Sequence, residues 1–115
     1  MSQRVGVVGC GRWGSKHLRA LECLAMEADI ECIVACDVNP IALARVENNR
    51  IVLHNDPHTL VEQLDLDSVI VATPNETHYE LGTMFLNKGV NVFLEKPIAT
   101  KFHHASSLVS TSVLD

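Results

Sequence analysis

The sequence predicts an α/β protein with a doubly wound parallel sheet, in which helices cover both faces to give a three-layer α/β/α arrangement. Short runs rich in valine and isoleucine alternate with segments whose apolar residues follow helical spacing. This alternation is typical of parallel strands joined by right-handed crossovers. The runs are apolar almost throughout, as expected of strands that are buried on both faces.

Five apolar runs are each short enough to be a strand. They are RVGVVG at 4–9, IECIVACD at 30–37, IVL at 51–53, SVIVA at 68–72 and NVFL at 91–94. We expect them to lie in the order 3-2-1-4-5. At 115 residues, the chain has the usual size of one domain, so residues 1–115 are expected to form a single domain.

Four helices are predicted between the strands, because apolar residues recur there at helical spacing. The residues that share this spacing are Leu18, Leu21, Leu24 and Ala25; Ile41, Leu43, Ala44 and Val46; Leu60, Val61 and Leu64; and Leu81, Met84, Phe85 and Leu86. Asn39 before Pro40 is typical of a helix start, and Lys88 before Gly89 of a helix end. The segment PNET at 74–77 is interpreted as the start of the fourth helix.

The composition is that of a globular protein, with 47% apolar and 20% charged residues. The net charge is −5 and the lysines and arginines form no cluster, which argues against a nucleic acid or an anionic membrane as partner. The sequence contains no apolar run long enough to span a bilayer and does not begin like a signal peptide, so we expect a cytoplasmic location.

No metal site is expected. The cysteines, Cys10, Cys23, Cys32 and Cys36, form no CxxC pair, and we interpret them as reduced, small apolar residues. His103 and His104 are adjacent and lack nearby acidic residues, so they are interpreted as solvated histidines. Asp65 and Asp67 are interpreted as loop residues before the fourth strand.

Gly9, Gly11 and Gly14 form a G-x-G-x-x-G pattern directly after the first strand and at the start of the first helix. Gly9 permits the tight turn, Gly11 lets the backbone approach a pyrophosphate, and Gly14 lets the helix lie close to the strand. The helix start then offers free N–H groups and its positive dipole end to the phosphates. The pattern predicts a dinucleotide site. Trp13 is interpreted as a lid over phosphate or adenine, or as a hydrophobic helix-start residue.

Asp37 ends the second strand, about 20 positions after the last glycine, where an acidic residue is expected to hold the adenosine ribose hydroxyls. Its negative charge would disfavour a 2′-phosphate, which predicts NAD rather than NADP as the cofactor. Arg12 leaves NADP open, because a guanidinium near the phosphates could also serve that cofactor. The competing interpretation of Asp37 is a turn or N-cap aspartate.

Two further segments are predicted to border the same crevice, because ligands of open parallel sheets bind where the strand order reverses. Thr73, Pro74 and Asn75 follow the fourth strand and are expected to line the central part of the cofactor site. His78 comes one turn later, as either a cofactor-binding or a packing residue.

The fifth strand ends in Glu95, Lys96 and Pro97, which are expected to border the cofactor too. Burial lowers the pKa of a lysine towards values useful for proton transfer, so Lys96 and Glu95 are candidate catalytic residues. A surface ion pair is the competing interpretation.

Together, VGVVGCGRWG, CD at 36–37, VIVATPNETHYEL and VFLEKP resemble the N-terminal domain of the glucose-fructose oxidoreductase, inositol dehydrogenase and rhizopine catabolism (Gfo/Idh/MocA) family. The resemblance implies a Rossmann fold and an NAD(P)-dependent oxidoreductase acting on sugars, polyols, sugar nucleotides or related carbonyl compounds. It implies that Lys96 assists proton transfer beside the nicotinamide, that Glu95 supports the site, and that Lys96–Pro97 is a candidate cis peptide. THYEL looks most similar to members that oxidise nucleotide-linked amino sugars.

The resemblance also implies a second, mostly antiparallel domain that carries the substrate pocket, a histidine base and the usual homo-oligomer interface. We expect residues 1–115 to hold no such domain and therefore to bind dinucleotide with little or no turnover. A form truncated to the cofactor domain explains this more simply than a natural short form. Two alternatives stay open. One is a non-catalytic NAD(P)-binding sensor or interaction module, and Glu95 and Lys96 count against it. The other is a methyltransferase, where EKP would have no role.

Overall fold

A computed structural model describes residues 3–25, 29–46 and 50–94 of the chain. Within these ranges, strands and helices alternate as expected. They are β1 (Gln3–Val8), α1 (Arg12–Ala25), β2 (Ile30–Cys36), α2 (Pro40–Ala44), β3 (Val52–His54), α3 (Pro57–Gln63), β4 (Ser68–Val71), α4 (His78–Asn87) and β5 (Asn91–Leu94). A 3₁₀ turn, Asn75–Thr77, precedes α4. The predicted strands are confirmed to within a residue or so at each end.

The strands form one parallel sheet in the order β3-β2-β1-β4-β5, which confirms the predicted topology. β1 is central, and Val8 at its end lies opposite Cys36 of β2 and Val71 of β4. The carboxyl ends of these strands therefore lie side by side, at the point where the strand order reverses.

The core has two halves, because successive side chains of a strand point to opposite faces of the sheet. The residues packed on the α3 and α4 side include Val8, Val34, Cys36, Leu60, Val69, Val71, Leu81 and Phe85. Those packed on the α1 and α2 side include Val5, Val7, Leu18, Leu21, Ile33, Ala35 and Ala42. Burying one large aliphatic or aromatic side chain contributes about 1.5 to 3 kcal/mol, so both halves hold helices against the sheet.

The helix-end signals are confirmed at α2 and α4. The Asn39 side chain accepts a hydrogen bond of 3.0 Å from the Ile41 backbone N–H, and Gly89 adopts a φ of +76° after α4. The predicted apolar residues of α2 are only partly buried, however. Leu43 and Val46 pack partly buried against the core, whereas Ala44 is exposed. Ile41 is 64% exposed, and Ala42 packs in the core instead. In this helix of little more than one turn, the buried position is held by the small residue Ala42.

The remaining expectations concern cysteines, aspartates and membrane spans. Cys10 and Cys36 are buried, whereas Cys23 is exposed, and all four cysteines are free. Asp67 lies in the loop before β4, as predicted, and its carboxylate accepts a 2.7 Å hydrogen bond from the Arg4 backbone N–H. None of the described helices is long and apolar enough to span a bilayer.

Candidate functional site

A cleft of about 480 Å³ opens at the carboxyl edge of the sheet, where β1, β2 and β4 end side by side. One wall consists of the glycine loop after β1 and the end of β2. The other consists of the starts of α3 and α4 and the loop after β4. The residues that line it are Val8, Gly9, Gly11, Asp37, Val38, Pro57, His58, Ala72, Thr73, Pro74, Thr77, Glu80 and Leu81.

Gly9 and Gly14 are required by the fold itself. Gly9 has a φ of +95°, and a Cβ there would lie 2.7 Å from the carbonyl oxygen of Ala72. Its N–H donates a 2.7 Å hydrogen bond to the Cys36 carbonyl, so the loop is held between β2 and β4. A Cβ on Gly14 would overlap the carbonyl oxygen of Gly9. α1 therefore starts in direct contact with the loop.

Gly11 is different, because the fold does not require it to be glycine. No described atom lies within 4 Å of the position that a Cβ would take, and the residue is exposed beside the cleft. Its bare backbone lies next to the first turn of α1, where N–H groups are free of intrahelical partners. The absent side chain leaves room for a molecule that contacts the backbone.

The Asp37 carboxylate joins the glycine loop to the end of β2. Its Oδ2 accepts a 2.8 Å hydrogen bond from the Cys10 N–H, and its Oδ1 accepts a 2.9 Å bond from the Asn39 N–H. Asp37 thus has the turn role that was the competing interpretation, and it also lines the cleft. An ionised carboxylate has about four acceptor positions, so it retains capacity for ligand hydroxyls.

The two cysteines beside this aspartate behave as apolar residues. Burial, reinforced by the Asp37 charge, raises the pKa of Cys10 to about 11. Burial first, and then Cys10 and the nearby carboxylates, raises the pKa of Cys36 to about 12. Both thiols are therefore protonated at neutral pH and unsuited to nucleophilic or metal chemistry. Within the described ranges, no group of three or more His, Cys, Asp or Glu side chains is placed to hold a metal ion.

The loop after β4 is held by its own side chains. Thr77 Oγ1 donates a 2.6 Å hydrogen bond to the Pro74 carbonyl, and the hydroxyls of Thr73 and Thr77 bond to each other. His78 is fully buried, and its Nε2 donates to the Thr73 carbonyl at 3.2 Å. This geometry supports the packing interpretation of His78. The buried ring holds the loop after β4 in place through its hydrogen bond to Thr73.

Three polar residues on the second wall were missed by the sequence analysis: Asp56, His58 and Glu80. Asp56 Oδ1 accepts a 2.9 Å hydrogen bond from the His58 backbone N–H and caps α3. His58 Nδ1 lies 3.2 Å from the same oxygen, and His58 Nε2 lies 3.1 Å from Glu80 Oε1 of α4. The pair Asp56–Pro57 is a helix-start signal that could have been recognised. The contact to Glu80 joins residues far apart in the sequence and has no local signal.

These contacts shift the protonation of the group. The hydrogen bond to Glu80, followed by that to Asp56, raises the pKa of His58 above its ordinary value. The hydrogen bond from the His58 backbone N–H is the main reason that the pKa of Asp56 is lowered. The imidazolium form of His58 is therefore favoured between its two carboxylate neighbours.

Five of the predicted site residues line the cleft: Gly9, Gly11, Asp37, Thr73 and Pro74. The other described ones lie around it, namely Arg12, Trp13, Gly14, Asn75 and His78. Trp13 is 58% exposed at the start of α1, with Lys16 Nζ 4.3 Å from its ring centroid. Glu95, Lys96 and Pro97 lie outside the described residues, as do His103 and His104.

Residues 3–113 match the model of an oxidoreductase family with an NAD-binding Rossmann fold, Gfo/Idh/MocA. Inositol 2-dehydrogenase 2 of Saccharopolyspora erythraea is 34% identical over 100 residues, which cover 87% of this chain and 30% of that protein. Rhizopine catabolism protein MocA of Rhizobium meliloti is 33% identical over 96 residues, which cover 82% of this chain and 29% of that protein. The chain thus spans less than a third of the length of these relatives.

Solved structures show the same fold. The WlbA dehydrogenase of Chromobacterium violaceum, crystallised with NADH and UDP-GlcNAcA, superposes with a TM-score of 0.88 at 33% identity, covering 98% of this chain and 32% of that one. The scyllo-inositol dehydrogenase of Lactobacillus casei, with bound NAD(H) and scyllo-inositol, gives a TM-score of 0.79 at 25% identity, covering 99% of this chain and 34% of that one.

Proposed function

Since the chain belongs to the Gfo/Idh/MocA oxidoreductase family, we propose that its cleft binds NAD(H) for hydride transfer to or from a hydroxyl-bearing carbon of a sugar, polyol or sugar nucleotide. The relatives named above include inositol dehydrogenases and a dehydrogenase crystallised with a nucleotide sugar. Both kinds of compound carry secondary hydroxyl groups, which is the chemistry that the proposal requires.

The observation that carries the proposal is the free space at Gly11. Side chains at Gly9 and Gly14 would strike the protein, whereas a side chain at Gly11 would meet none of the described atoms. A phosphate lying against that backbone accounts for the glycine. The first turn of α1, Arg-Trp-Gly-Ser, contributes a cation and helix N–H donors, which suit an anionic group.

The rest of the cleft suits the adenosine part of the cofactor. Asp37 is placed to accept hydrogen bonds from ribose hydroxyls, and Val38, Pro57 and Leu81 offer apolar surface to a flat base. The volume of the cleft, about 480 Å³, lies in the range of small-molecule sites. The carboxylates of Asp37 and Glu80 in its lining oppose a 2′-phosphate, which supports NAD over NADP as the cofactor.

The nicotinamide, when bound, supplies the carbon that accepts or releases hydride. On the family resemblance, Lys96 moves the proton of the substrate hydroxyl and Glu95 supports it. The same resemblance assigns the substrate pocket to a further domain and implies a homo-oligomer for the whole protein. The cytoplasmic location is proposed from the sequence, which begins unlike a signal peptide and holds no apolar run of bilayer length. This chain by itself is proposed to bind the cofactor with little or no turnover.

The test is a Gly11→Val variant studied by NADH titration. The new Cβ would meet no described atom, so the unfolding midpoint is expected to change little, while NADH affinity falls by at least about tenfold because the pyrophosphate is displaced. The only tryptophan, Trp13, lies beside the loop and serves as an energy-transfer donor to NADH. Ala20→Val, which places a valine side chain at an exposed position of α1, is the matched control. Failure of the native chain to bind NADH, or equal affinity in Gly11→Val, would overturn the proposal.

The same titration separates the alternatives. NADH is expected to bind more tightly than NADPH, and the opposite order would defeat the NAD preference. S-adenosylmethionine is expected not to bind, and its binding in place of NADH would favour a methyltransferase. Separating an enzyme from a non-catalytic sensor requires a protein that also carries the further domain implied by the family resemblance, in which steady NADH production from a polyol or sugar nucleotide supports the enzyme.

A further inference from the structure

His58 lies where the two helices of the second wall come together at the cleft. It occupies the first turn of α3 and lines the cleft beside Glu80 and Leu81 of α4. Deeper in the protein, Leu60 of α3 shares a core cluster with Leu81 and Phe85 of α4. Apolar packing thus holds the helices together in the interior, and the contacts of His58 join them at the mouth.

The two contacts of the His58 ring require two N–H groups. Nδ1 lies 3.2 Å from Asp56 Oδ1 and Nε2 lies 3.1 Å from Glu80 Oε1, and an ionised carboxylate can only accept. Neutral imidazole has one N–H and a lone pair on the other nitrogen. Only the imidazolium makes both hydrogen bonds at once, so loss of its proton must break one of them.

The contact to Glu80 is the less anchored of the two. Asp56 is anchored, because it also accepts the His58 backbone N–H at 2.9 Å and the Thr59 hydroxyl at 3.3 Å. The Glu80 side chain is 70% exposed, so it can turn to water. Since that contact is the one that crosses from α3 to α4, the mouth of the cleft loosens when it is lost.

We propose that His58 is a positioning residue for NAD(H): its protonated ring holds the first turns of α3 and α4 together, and cofactor affinity falls when the proton is lost. The inference rests on the proposed function and adds a pH dependence to the same cleft. The charged groups facing the ring are Asp56 from the α3 cap and Glu80 from α4, with Asp37 of β2 also in the cleft lining. Glu62 follows one turn later on α3.

The hydrogen bonds to Glu80 and Asp56 raise the pKa of His58. We therefore expect the NADH affinity to change at a pH above the ordinary pKa of histidine. By linkage, a ligand that prefers the imidazolium must itself raise the pKa of His58 when it binds. A threefold change in affinity corresponds to a further rise of about half a pKa unit.

The first experiment measures the Kd for NADH between about pH 6 and about pH 9, with the chain shown to be folded at each pH by circular dichroism. The native Kd is expected to rise by about two- to fivefold across this range, as befits an exposed ion pair. His58→Gln is expected to bind with the alkaline Kd at every pH. His17→Gln removes a histidine of α1 that lies against Phe93, outside the cleft, and should keep the native profile.

The second experiment separates the helix contact from simple charge. Glu80→Ala removes a negative charge, so electrostatics alone would tighten the binding of an anionic dinucleotide. Loss of the contact instead weakens binding at about pH 6 to the alkaline value and leaves a flat profile. Glu62→Ala removes a charge from an exposed position of α3 and serves as the matched control.

A proton NMR titration of His58 provides a readout that a merely structural role would not change, since the proposal requires its pKa to be higher with saturating NADH. A flat native profile, a slope that survives in His58→Gln, or tighter binding by Glu80→Ala would overturn this inference and leave the proposed function intact. Absence of NADH binding at every pH would overturn both.

Discussion

The two walls of the cleft are built in opposite ways. The glycine loop is held largely by backbone groups: Gly9 donates to the Cys36 carbonyl at 2.7 Å, and Ala72 donates to the Val8 carbonyl at 2.8 Å. One partly buried carboxylate, Asp37, adds a 2.8 Å hydrogen bond from the Cys10 N–H. The α3–α4 wall is joined at its mouth by side chains that lie more than half in water, with His58 57% and Glu80 70% exposed. One wall is therefore fixed by the fold, and we expect the contact across the other to respond to pH and salt.

Gly14→Ala is expected to have the largest effect, and it acts on the wall formed by the glycine loop. The added Cβ would overlap the Gly9 carbonyl oxygen, so α1 must shift away from the sheet. We expect a loss of about 3 kcal/mol in the free energy of unfolding, measured by urea denaturation. Gly11→Ala is the control and should leave stability nearly unchanged, because its Cβ meets open space. Equal midpoints for the two variants would contradict the assignment of Gly14 to packing.

Asp37→Ala is expected to have the next largest effect, because it acts on both stability and binding. It leaves the Cys10 and Asn39 N–H groups without their charged acceptor, at a cost of about 1 to 3 kcal/mol in the free energy of unfolding. It is also expected to weaken NADH binding and reduce the preference over NADPH. Denaturation and paired titrations measure the two effects. An unchanged NADH to NADPH ratio would confine Asp37 to its turn role.

Asp56→Ala acts on the α3–α4 wall and is expected to have a smaller effect. The carboxylate that caps α3 also faces the His58 ring, so its removal should lower the melting temperature by a few degrees. The raised pKa of His58 means that its contribution to native stability is present below its ordinary pKa and is lost as pH rises through the folded value. This alkaline loss should be reduced in Asp56→Ala.

The lowered pKa of Asp56 has the opposite consequence. Its contribution is present above its ordinary pKa and is lost as pH falls through the folded value. Asn39→Ala is the matched control, since it removes the cap of α2 at about 1 kcal/mol but should keep both pH slopes. Thermal unfolding followed across pH measures all these changes. Identical slopes in Asp56→Ala and the native chain would show that this cap and the His58 ring are not coupled.

The sequence predicted the wall formed by the glycine loop and the end of β2, because the features of this wall depend on residues that are close together in the chain. A glycine pattern after an apolar strand identifies a tight turn, and Asn39–Pro40 identifies a helix start, since each depends on neighbouring residues. The predicted strands at 4–9 and 30–37 ended one residue late, at Gly9 and Asp37. Pairing stops at Val8 and Cys36, where the chain turns into the loop and the cleft.

The contacts of the α3–α4 wall could not be predicted in the same way. Glu80 and His58 meet only because the crossover after β3 places α3 next to α4, and no short pattern in the chain encodes that pairing. The same holds for Val38 and Leu81, which come from different elements but line one cleft. Ile41 shows a different failure. Its apolar side chain predicted burial, but α2 is little more than one turn long and leaves Ile41 exposed.

The hydrogen bond between the Cys10 amide and the Asp37 carboxylate has a consequence for how a dinucleotide would be received. It couples the segment intended for the phosphates to the group intended for the sugar, so the two are preorganised together when the chain folds. Neither has to be immobilised when the ligand arrives, which leaves more of the interaction energy for affinity. Adenosine alone, or pyrophosphate alone, would then bind to a site in which the segments for both parts of the dinucleotide are already in place.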